Sequence, residues 1–300
     1  MQLPLLMPIV RVMSYERKNK KRRDHGKPGH RAPKAHQKQG QKQQERGRKA
    51  PKIKADLFGF HACAEAWLNP ERDIHALYIT QNALSGFESV IEKAKKAKIT
   101  RPAPTITDKG AIDNALMKGT VHQGVALDAA PLPMMGLPDL LIRTQDKPSA
   151  LLVILDQVTD PHNVGAIARS ACAFGADGII TQSRHTPDLS GVLAKIACGA
   201  LEHVPFAAET NLARTIEELQ QNHFIVLALD ERGEHNIDVI AERHKNDKIA
   251  FVMGAEGPGI RRLVKEKCDD MVRLPMDGAM PSINVSNAAA IALYAFRAID

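Results

Sequence analysis

The chain has 300 residues, 44% hydrophobic and 25% charged, which is ordinary globular composition and excludes disorder over most of its length. Its charge is uneven: residues 1–54 hold 17 Lys and Arg against 3 Asp and Glu, whereas residues 55–300 have a net charge of −7. A polybasic segment attracts polyanions, so nucleic acid is the first candidate partner. No stretch approaches the 18 uninterrupted apolar residues that a membrane-spanning helix needs. The four cysteines are widely spaced without a C-x-x-C pair, which argues against a zinc ribbon or disulfide framework and indicates a cytoplasmic protein.

The first 54 residues form the predicted arm. From residue 14 onward they are rich in Lys, Arg, Gln, His, Gly and Pro and have no apolar period. Such a segment cannot offset its ordering entropy by burial, so we predict that it is disordered in isolation. Two interpretations are open, an arm that grips RNA without sequence preference and a solubilising tail.

Residues 55–128 are predicted to form a small α/β domain. Apolar patterns predict helices around 61–67, 87–96 and 108–117 and strands over 75–80 and 124–128. Four prolines then punctuate residues 129–149, a composition typical of a linker, with room for a short helical turn.

Residues 150–300 alternate apolar runs of strand length with helical patterns. The runs lie at 151–155, 178–181, 203–206, 224–229, 249–253 and 271–274. Runs without polar alternation are typical of strands covered on both faces, which predicts a mostly parallel sheet in an α/β sandwich.

A first polar loop, residues 156–163, follows the first of these strands, where ligands bind in open α/β sheets. The helix predicted over 164–174 has small or apolar residues on nearly every side, which predicts a buried helix. Arg169 is its only charge. A buried guanidinium needs a partner, so Arg169 is expected to meet either an anionic ligand or an internal carboxylate.

A second loop, GAEGPG at residues 254–259, follows the run at 249–253. Its three glycines would let a backbone approach a ligand closely, but their order is not the dinucleotide fingerprint, which disfavours a hydride-transfer enzyme. A tight turn alone would explain the glycines and leave Glu256 unexplained.

A third loop follows the run at 271–274 and leads into a helix with no charge over 288–296. Such a helix must be enclosed by the fold or by a partner subunit. The loop clusters four short polar side chains, more than helix capping requires: Ser282, Asn284, Ser286 and Asn287.

Three segments, NVGAIAR, VMGAEGPG and LPMDGAMPSINVSNAAAIALY, resemble in order and spacing the motifs of the SpoU (TrmH-like) branch of the SPOUT methyltransferases. The preceding unit, with FGFHACAEAW near its start and VHQGVAL at its end, resembles the L30e-like substrate-binding domain of the bacterial 23S rRNA guanosine 2'-O-methyltransferases. The arm lies outside this resemblance.

The resemblance implies transfer of a methyl group from S-adenosylmethionine to a ribose 2'-hydroxyl of RNA, without a metal, by a homodimer whose methyltransferase domain contains a trefoil knot. Guanosine in 23S rRNA is the favoured target and tRNA the alternative. It places the cofactor at Gly254, Glu256, Gly257, Leu274, Met276 and Ile283. It places the active site at Asn163, Arg169, Glu256, Ser282 and Asn284.

Several roles stay open. Arg169 either pairs with a substrate phosphate or accepts a proton transiently, although its pKa above about 12 makes it an awkward base. Glu256 either holds Arg169 or a loop amide, or is only a structural ion-pair partner. His122 either touches RNA or is buried beside a strand. A competing class, a noncatalytic RNA-binding or assembly protein, would not need Arg169 together with the glycine and polar loops.

Overall fold

Two β-sheets with packed helices make up residues 53–184, 186–279 and 282–297, the part of the chain that the computed structural model describes. The predicted disordered arm lies outside these residues except for its last two positions. Ile53 packs on the small core around Phe58, and Lys54 pairs with Asp56 and Asp128, both at 3.0 Å. Folded structure therefore includes the end of the predicted arm.

The first sheet has four strands in the order β1-β4-β2-β3; β1 and β2 are antiparallel to β4, and β3 is parallel to β2. Its strands are β1 (Leu57–Phe58), β2 (Ile74–Thr80), β3 (Thr105–Thr107) and β4 (Val125–Ala129). Its helices are α1 (Phe60–Leu68), α2 (Gln81–Lys96) and α3 (Lys109–Ala115). The second helix starts six residues before its predicted position because Thr80 caps it, with its hydroxyl accepting from the Ala83 amide.

The second sheet has seven strands in the order β7-β6-β5-β10-β8-β11-β9, and every neighbouring pair is parallel. This confirms the predicted parallel sheet. Its strands are β5 (Ala150–Asp156), β6 (Gly178–Gln182), β7 (Phe206–Glu209), β8 (Phe224–Leu229), β9 (His235–Asn236), β10 (Lys248–Gly254) and β11 (Asp270–Arg273). The helices are α4 (Leu137–Thr144), α5 (Pro161–Ala173), α6 (Gly191–Ala197), α7 (Leu212–Gln221), α8 (Ile237–Arg243), α9 (Arg262–Lys267) and α10 (Val285–Phe296), with a 3-10 turn at Ala200–Glu202.

Helices cover both faces of the second sheet, as its apolar strands require. Along β5, Val153 and Leu155 face a core that includes α5, α6, α8 and α10, whereas Leu152 and Ile154 face α4, α7 and α9. The first of these cores continues into the small sheet through residues such as Trp67. The two sheets are therefore joined by packed apolar side chains as well as by the chain.

Two predicted elements differ from the structure. The strand expected over 203–206 begins only at Phe206, because the 3-10 turn precedes it and Pro205 offers no amide hydrogen. The expected linker contains α4, and Met135 bridges to β7, with its amide donating to the Phe206 carbonyl at 2.8 Å. Much of this segment therefore packs on the sheet as part of the fold.

No helix within the described ranges is both long and apolar enough to span a membrane.

Candidate functional site

A cavity of about 800 Å³ opens at the carboxyl ends of β8, β10 and β11. Its lining is apolar at Leu229, Met253, Leu274, Met276, Ile283, Val285 and Ala288, with glycines at 254, 257 and 259 and polar groups from Asp230, Glu231, Arg232, Glu256, Ser282 and Asn284. The structure thus brings together all six residues predicted to hold a cofactor, and with them two further predicted active-site residues, Ser282 and Asn284.

The glycines of the second loop are required by the turn itself. A Cβ on Gly254 would lie 2.3 Å from the carbonyl carbon of Gly259, and Gly257 and Gly259 have φ values of 88° and 69°. The Gly259 amide donates to the Ala255 carbonyl at 2.9 Å and closes the loop. The tight-turn interpretation therefore accounts for all three glycines. Residues 254–257 and 259 of the loop line the cavity.

Hydrogen bonds join the three motifs at the carboxylate of Glu256. Its Oε1 accepts from Asn163 Nδ2 at 3.1 Å and from Asn284 Nδ2 at 2.6 Å. Asn284 Nδ2 also lies 3.0 Å from Asn163 Oδ1, and its own Oδ1 accepts from the Ser286 amide at 2.9 Å, capping α10. The Glu256 carboxylate therefore binds the side-chain amides of Asn163 and Asn284. Among the described residues it contacts neither Arg169 nor another ion-pair partner.

Arg169 is exposed, which corrects the expectation that its helix is buried on all sides. Helix α5 buries one face, including Val164, Ile167 and Ala171, and its remaining small residues tolerate solvent. The guanidinium Nη1 donates to Cys198 Sγ at 3.5 Å, and no described carboxylate lies within ion-pair distance. Within the described residues Arg169 therefore forms no internal ion pair, and it is not among the residues that line the cavity.

The apolar helix α10 is only partly enclosed by the fold. Ala289, Leu293 and other residues on one face are buried, whereas Ile291 and Tyr294 are 46% and 54% exposed. The Tyr294 ring packs edge-on against Phe174, which follows α5, with ring centroids 5.8 Å apart. Apolar surface thus remains open beside the helix that carries Arg169.

Two carboxylates that support the cavity, those of the buried Asp156 and the half-buried Asp230, were not predicted as site residues. Asp156, at the end of β5, is fully buried and accepts from both the amide and Nε of Arg261, at 2.8 and 2.7 Å, which anchors the chain leaving the glycine loop. Asp230, after β8, bonds Lys265. Partial burial alone would raise the pKa of Asp230, but hydrogen bonds from Lys265 and the Arg232 amide lower it.

The sequence carries a signal for both residues, since each ends an apolar strand, in the strings VILD and LALD. A carboxylate directly after a buried parallel strand lies at the ligand-binding edge of the sheet.

His122 is buried, which decides between its two interpretations. Its Nδ1 accepts from the Gly124 amide and its Nε2 lies near Asp113 Oδ1, both at 3.1 Å. The neighbouring Gln123 is exposed, and its side-chain oxygen accepts from the Phe60 amide at 2.9 Å. These residues shape one wall of a broad groove of about 1410 Å³ beside the start of α2.

No cluster of three or more His, Cys, Asp or Glu side chains suited to a metal ion occurs within the described ranges.

Comparisons with known proteins match both parts of the chain. A family profile described as the SpoU rRNA Methylase family matches residues 150–294, and one described as RNA 2'-O ribose methyltransferase substrate binding matches residues 57–135. The 23S rRNA (guanosine-2'-O-)-methyltransferase of Neisseria meningitidis is 39% identical over 247 residues, covering 80% of this chain and 94% of that protein. A putative TrmH family tRNA/rRNA methyltransferase of Bacillus subtilis is 37% identical, covering 79% of this chain and 93% of that protein.

Solved structures match the fold. The SpoU methyltransferase AviRb of Streptomyces viridochromogenes, in complex with AdoMet, aligns with a TM-score of 0.64 at 21% identity, covering 80% of this chain and 88% of that chain. An AdoMet-bound rRNA methyltransferase of Sinorhizobium meliloti aligns with a TM-score of 0.64 at 24% identity, covering 80% and 85%. With its three motifs meeting at one cavity and its sequence matched over both parts, the chain belongs to the SpoU rRNA methylase family.

Proposed function

We propose that this protein is an RNA methyltransferase that uses S-adenosylmethionine to methylate the ribose 2'-hydroxyl of a guanosine in 23S rRNA. The observation that carries the proposal is the hydrogen-bonded meeting of Asn163, Glu256 and Asn284 beside one cavity. A noncatalytic RNA-binding protein would not need such a constellation. The relative from Neisseria meningitidis, whose name states this reaction, supports the target.

The cavity fits S-adenosylmethionine. Its volume of about 800 Å³ is in the usual range for small-molecule sites, and Leu274, Met276 and Ile283 offer apolar surface to an adenine ring. Backbone groups at Gly254 and Leu274, at the ends of two strands, are in position to form hydrogen bonds with the polar groups of S-adenosylmethionine. When bound, S-adenosylmethionine supplies a methyl group activated by the positive charge on sulfur.

The remaining chemistry is to place the ribose oxygen and remove its proton. Asn163 and Asn284 are fixed by Glu256, and Ser282 presents a hydroxyl at the cavity; these groups position the ribose and the loop. Arg169 either pairs with a substrate phosphate, which fixes the 2'-hydroxyl, or accepts its proton transiently. The exposed position of Arg169 supports action on the RNA and not on the cofactor.

The active form is proposed to be a homodimer. Ile291 and Tyr294 leave apolar surface exposed on α10, and Arg169 lies on the neighbouring helix, away from the cavity of its own chain. A second copy packed on this surface would enclose α10 and could bring the Arg169 of one chain to the cavity of the other.

The domain assignment is also part of the proposal. Residues 55–128 would be the L30e-like RNA substrate-binding domain and 150–300 the methyltransferase domain with the family's trefoil knot; the profile matches to residues 57–135 and 150–294 support these two domains. Residues 129–149 would connect the two domains, with α4 packed on the second sheet. The basic arm would add nonspecific attraction for RNA in the cytoplasm.

A second candidate target is tRNA, since the relative from Bacillus subtilis has both tRNA and rRNA in its name. The test is to map 2'-O-methylation in rRNA and tRNA from cells with and without the gene, and to repeat the mapping after adding the purified protein and S-adenosylmethionine to unmodified RNA. A guanosine in 23S rRNA that gains its methyl group only with the protein supports the proposal. A site found only in tRNA would replace the target, and no gained site in either RNA would overturn the activity.

A further inference from the structure

A short corner of the chain, residues 198–202, touches both Arg169 and the helix α1 of the first sheet. It follows α6 directly and includes the 3-10 turn at Ala200–Glu202. On one side the sulfur of Cys198 lies against the guanidinium, and on the other the Glu65 side chain of α1 lies against the backbone of Gly199. It therefore connects the predicted substrate-binding part to the predicted substrate-side residue.

The contact with Arg169 is made by Cys198. This residue caps α6 in the left-handed conformation, with φ at 52°, and its Sγ lies 3.5 Å from both Arg169 Nη1 and the Lys195 carbonyl. The sulfur is thus fixed over the last turn of α6. A long, exposed arginine side chain has many rotamers, and a fixed partner at its tip restricts them.

The contact with α1 is made by the next residue. Gly199 has a φ of 94°, and a Cβ there would lie 2.3 Å from Cγ of Glu65, so the side chain of Glu65, on α1, packs directly against the backbone of the corner. Beyond it, Glu202 is buried and accepts from Asn69 Nδ2 at 2.8 Å. Its other oxygen faces the buried Arg72 at 3.7 Å.

We propose that this corner positions Arg169 for methyl transfer and that α1 holds the corner in place. Cys198 and Glu202 are then positioning residues. Through them, the packing of α1 against the corner determines where the Arg169 guanidinium lies. The inference rests on the proposed function, because it assigns these residues a role in the same reaction.

The first test replaces the sulfur. With Cys198→Ala we expect kcat to fall about fivefold to tenfold, as expected for a catalytic group that is less well placed, while the KM for RNA and the cofactor affinity stay within about twofold. Cys198→Ser keeps a polar partner for the guanidinium and should restore most of the loss.

Cys268→Ala is the matched control. Cys268 also caps a short helix, α9, and its sulfur lies 3.3 Å from the Val264 carbonyl, but it packs on the opposite face of the sheet. This variant should turn over RNA like the wild type.

The second test acts from the other end of the corner. Glu202→Gln keeps the shape of the side chain but removes the charge that faces Arg72. We therefore expect kcat to fall, as in Cys198→Ala, while cofactor affinity is retained. Thermal unfolding of every variant separates this effect from misfolding, and if Cys198→Ala does not fold, Glu202→Gln decides, because a wild-type kcat in that folded variant would overturn the inference. Wild-type kcat in folded Cys198→Ala and Glu202→Gln would overturn the inference and leave the proposed function standing. A wild-type protein that methylates no RNA would overturn both.

Discussion

The cavity and the Arg169 surface differ in how complete they are within one chain. The cavity is closed by its own loops, since Glu256 ties Asn163 to Asn284 and Asp156 holds the chain that leaves the glycine loop. Arg169 lies on an exposed helix face and has a sulfur as its nearby partner. The cofactor side of the reaction can therefore be preorganised by folding alone, whereas the substrate side needs another molecule, RNA or a second copy of the chain.

The largest expected effect on turnover comes from the exposed side. Arg169→Ala should lower methyl transfer at saturating RNA on the order of a thousandfold, because it removes the group that acts on the substrate. Cofactor affinity should stay nearly unchanged, since Arg169 does not line the cavity. Methyl incorporation into RNA and calorimetry of S-adenosylmethionine binding in the presence of EDTA measure the two effects separately. Equal loss of both would show that the two surfaces are not independent.

Arg169→Lys sharpens the same comparison. Lysine keeps the charge and loses the planar fork. Substantial activity would support phosphate pairing, and a loss as deep as that of alanine would support a role that depends on the geometry of the guanidinium.

The next largest effect should come from the cavity wall. Gly254→Ala places a methyl group 2.3 Å from Gly259 and forces the loop to shift, at a cost of about 2 kcal/mol and hence about thirtyfold in cofactor affinity. Calorimetry measures it. Gly278→Ala is the matched control, because an added Cβ there meets no atom of the described residues within 4 Å. Cofactor binding equally weakened in both variants would indicate a general sensitivity of the loops to substitution.

A smaller effect is expected where the motifs meet. Asn284→Ala removes the cap of α10 and one of the two amides on Glu256, so the free energy of unfolding should fall by about 1 kcal/mol and cofactor affinity by about fivefold. Denaturant unfolding and calorimetry are the measurements. Asn211→Ala, which removes the cap of α7 on the other face of the sheet, should lose similar stability and keep full cofactor affinity. Unchanged cofactor binding in Asn284→Ala would mean that Asn163 alone holds Glu256 in place.

The cavity could be predicted from the sequence because it depends on short segments, the apolar strands and the loops that directly follow them. Uninterrupted apolar runs such as 224–229 mark strands covered on both faces, and the polar loops after β10 and β11 must meet at one edge of a parallel sheet. The exposure of Arg169 could not be predicted from the neighbouring sequence. Small residues such as alanine, glycine and serine occur on both buried and exposed helix faces, so the lack of charged residues on α5 led to the prediction of a fully buried helix, whereas one face is exposed.

The hydrogen-bond partners of the charged groups could not be predicted from the neighbouring sequence either. Glu256 and Asn163 are 93 residues apart, and Asp156 and Arg261 are 105 apart, so only the assembled sheet brings them together. The helices α6, α8 and α9 have only six or seven residues, which leaves few turns in which a period can repeat, and they were not predicted individually.

The smallest expected effect on turnover at saturating RNA comes from removing the basic arm. A protein beginning at Pro51 keeps Ile53 in its core and the ion pairs of Lys54. It loses 15 Lys and Arg against 3 Asp and Glu, so it should fold, bind cofactor normally and turn over at the wild-type rate once RNA is saturating. Its RNA affinity should be lower at low salt, because the remaining chain has a net negative charge.

Salt dependence separates the two interpretations of the arm. Each phosphate contact on single-stranded RNA adds about −0.7 to the slope of log affinity against log salt, so an arm that engages six phosphates contributes roughly −4. Truncation should flatten the slope by that amount. Preference for the target site should persist, because discrimination by bases and shape would reside in the folded parts that carry the cavity and the groove. Equal slopes for the full chain and the truncated protein would identify the arm as a solubilising tail. A loss of site preference would move part of the specificity into the arm and weaken the division between a preorganised cofactor side and an RNA-dependent substrate side.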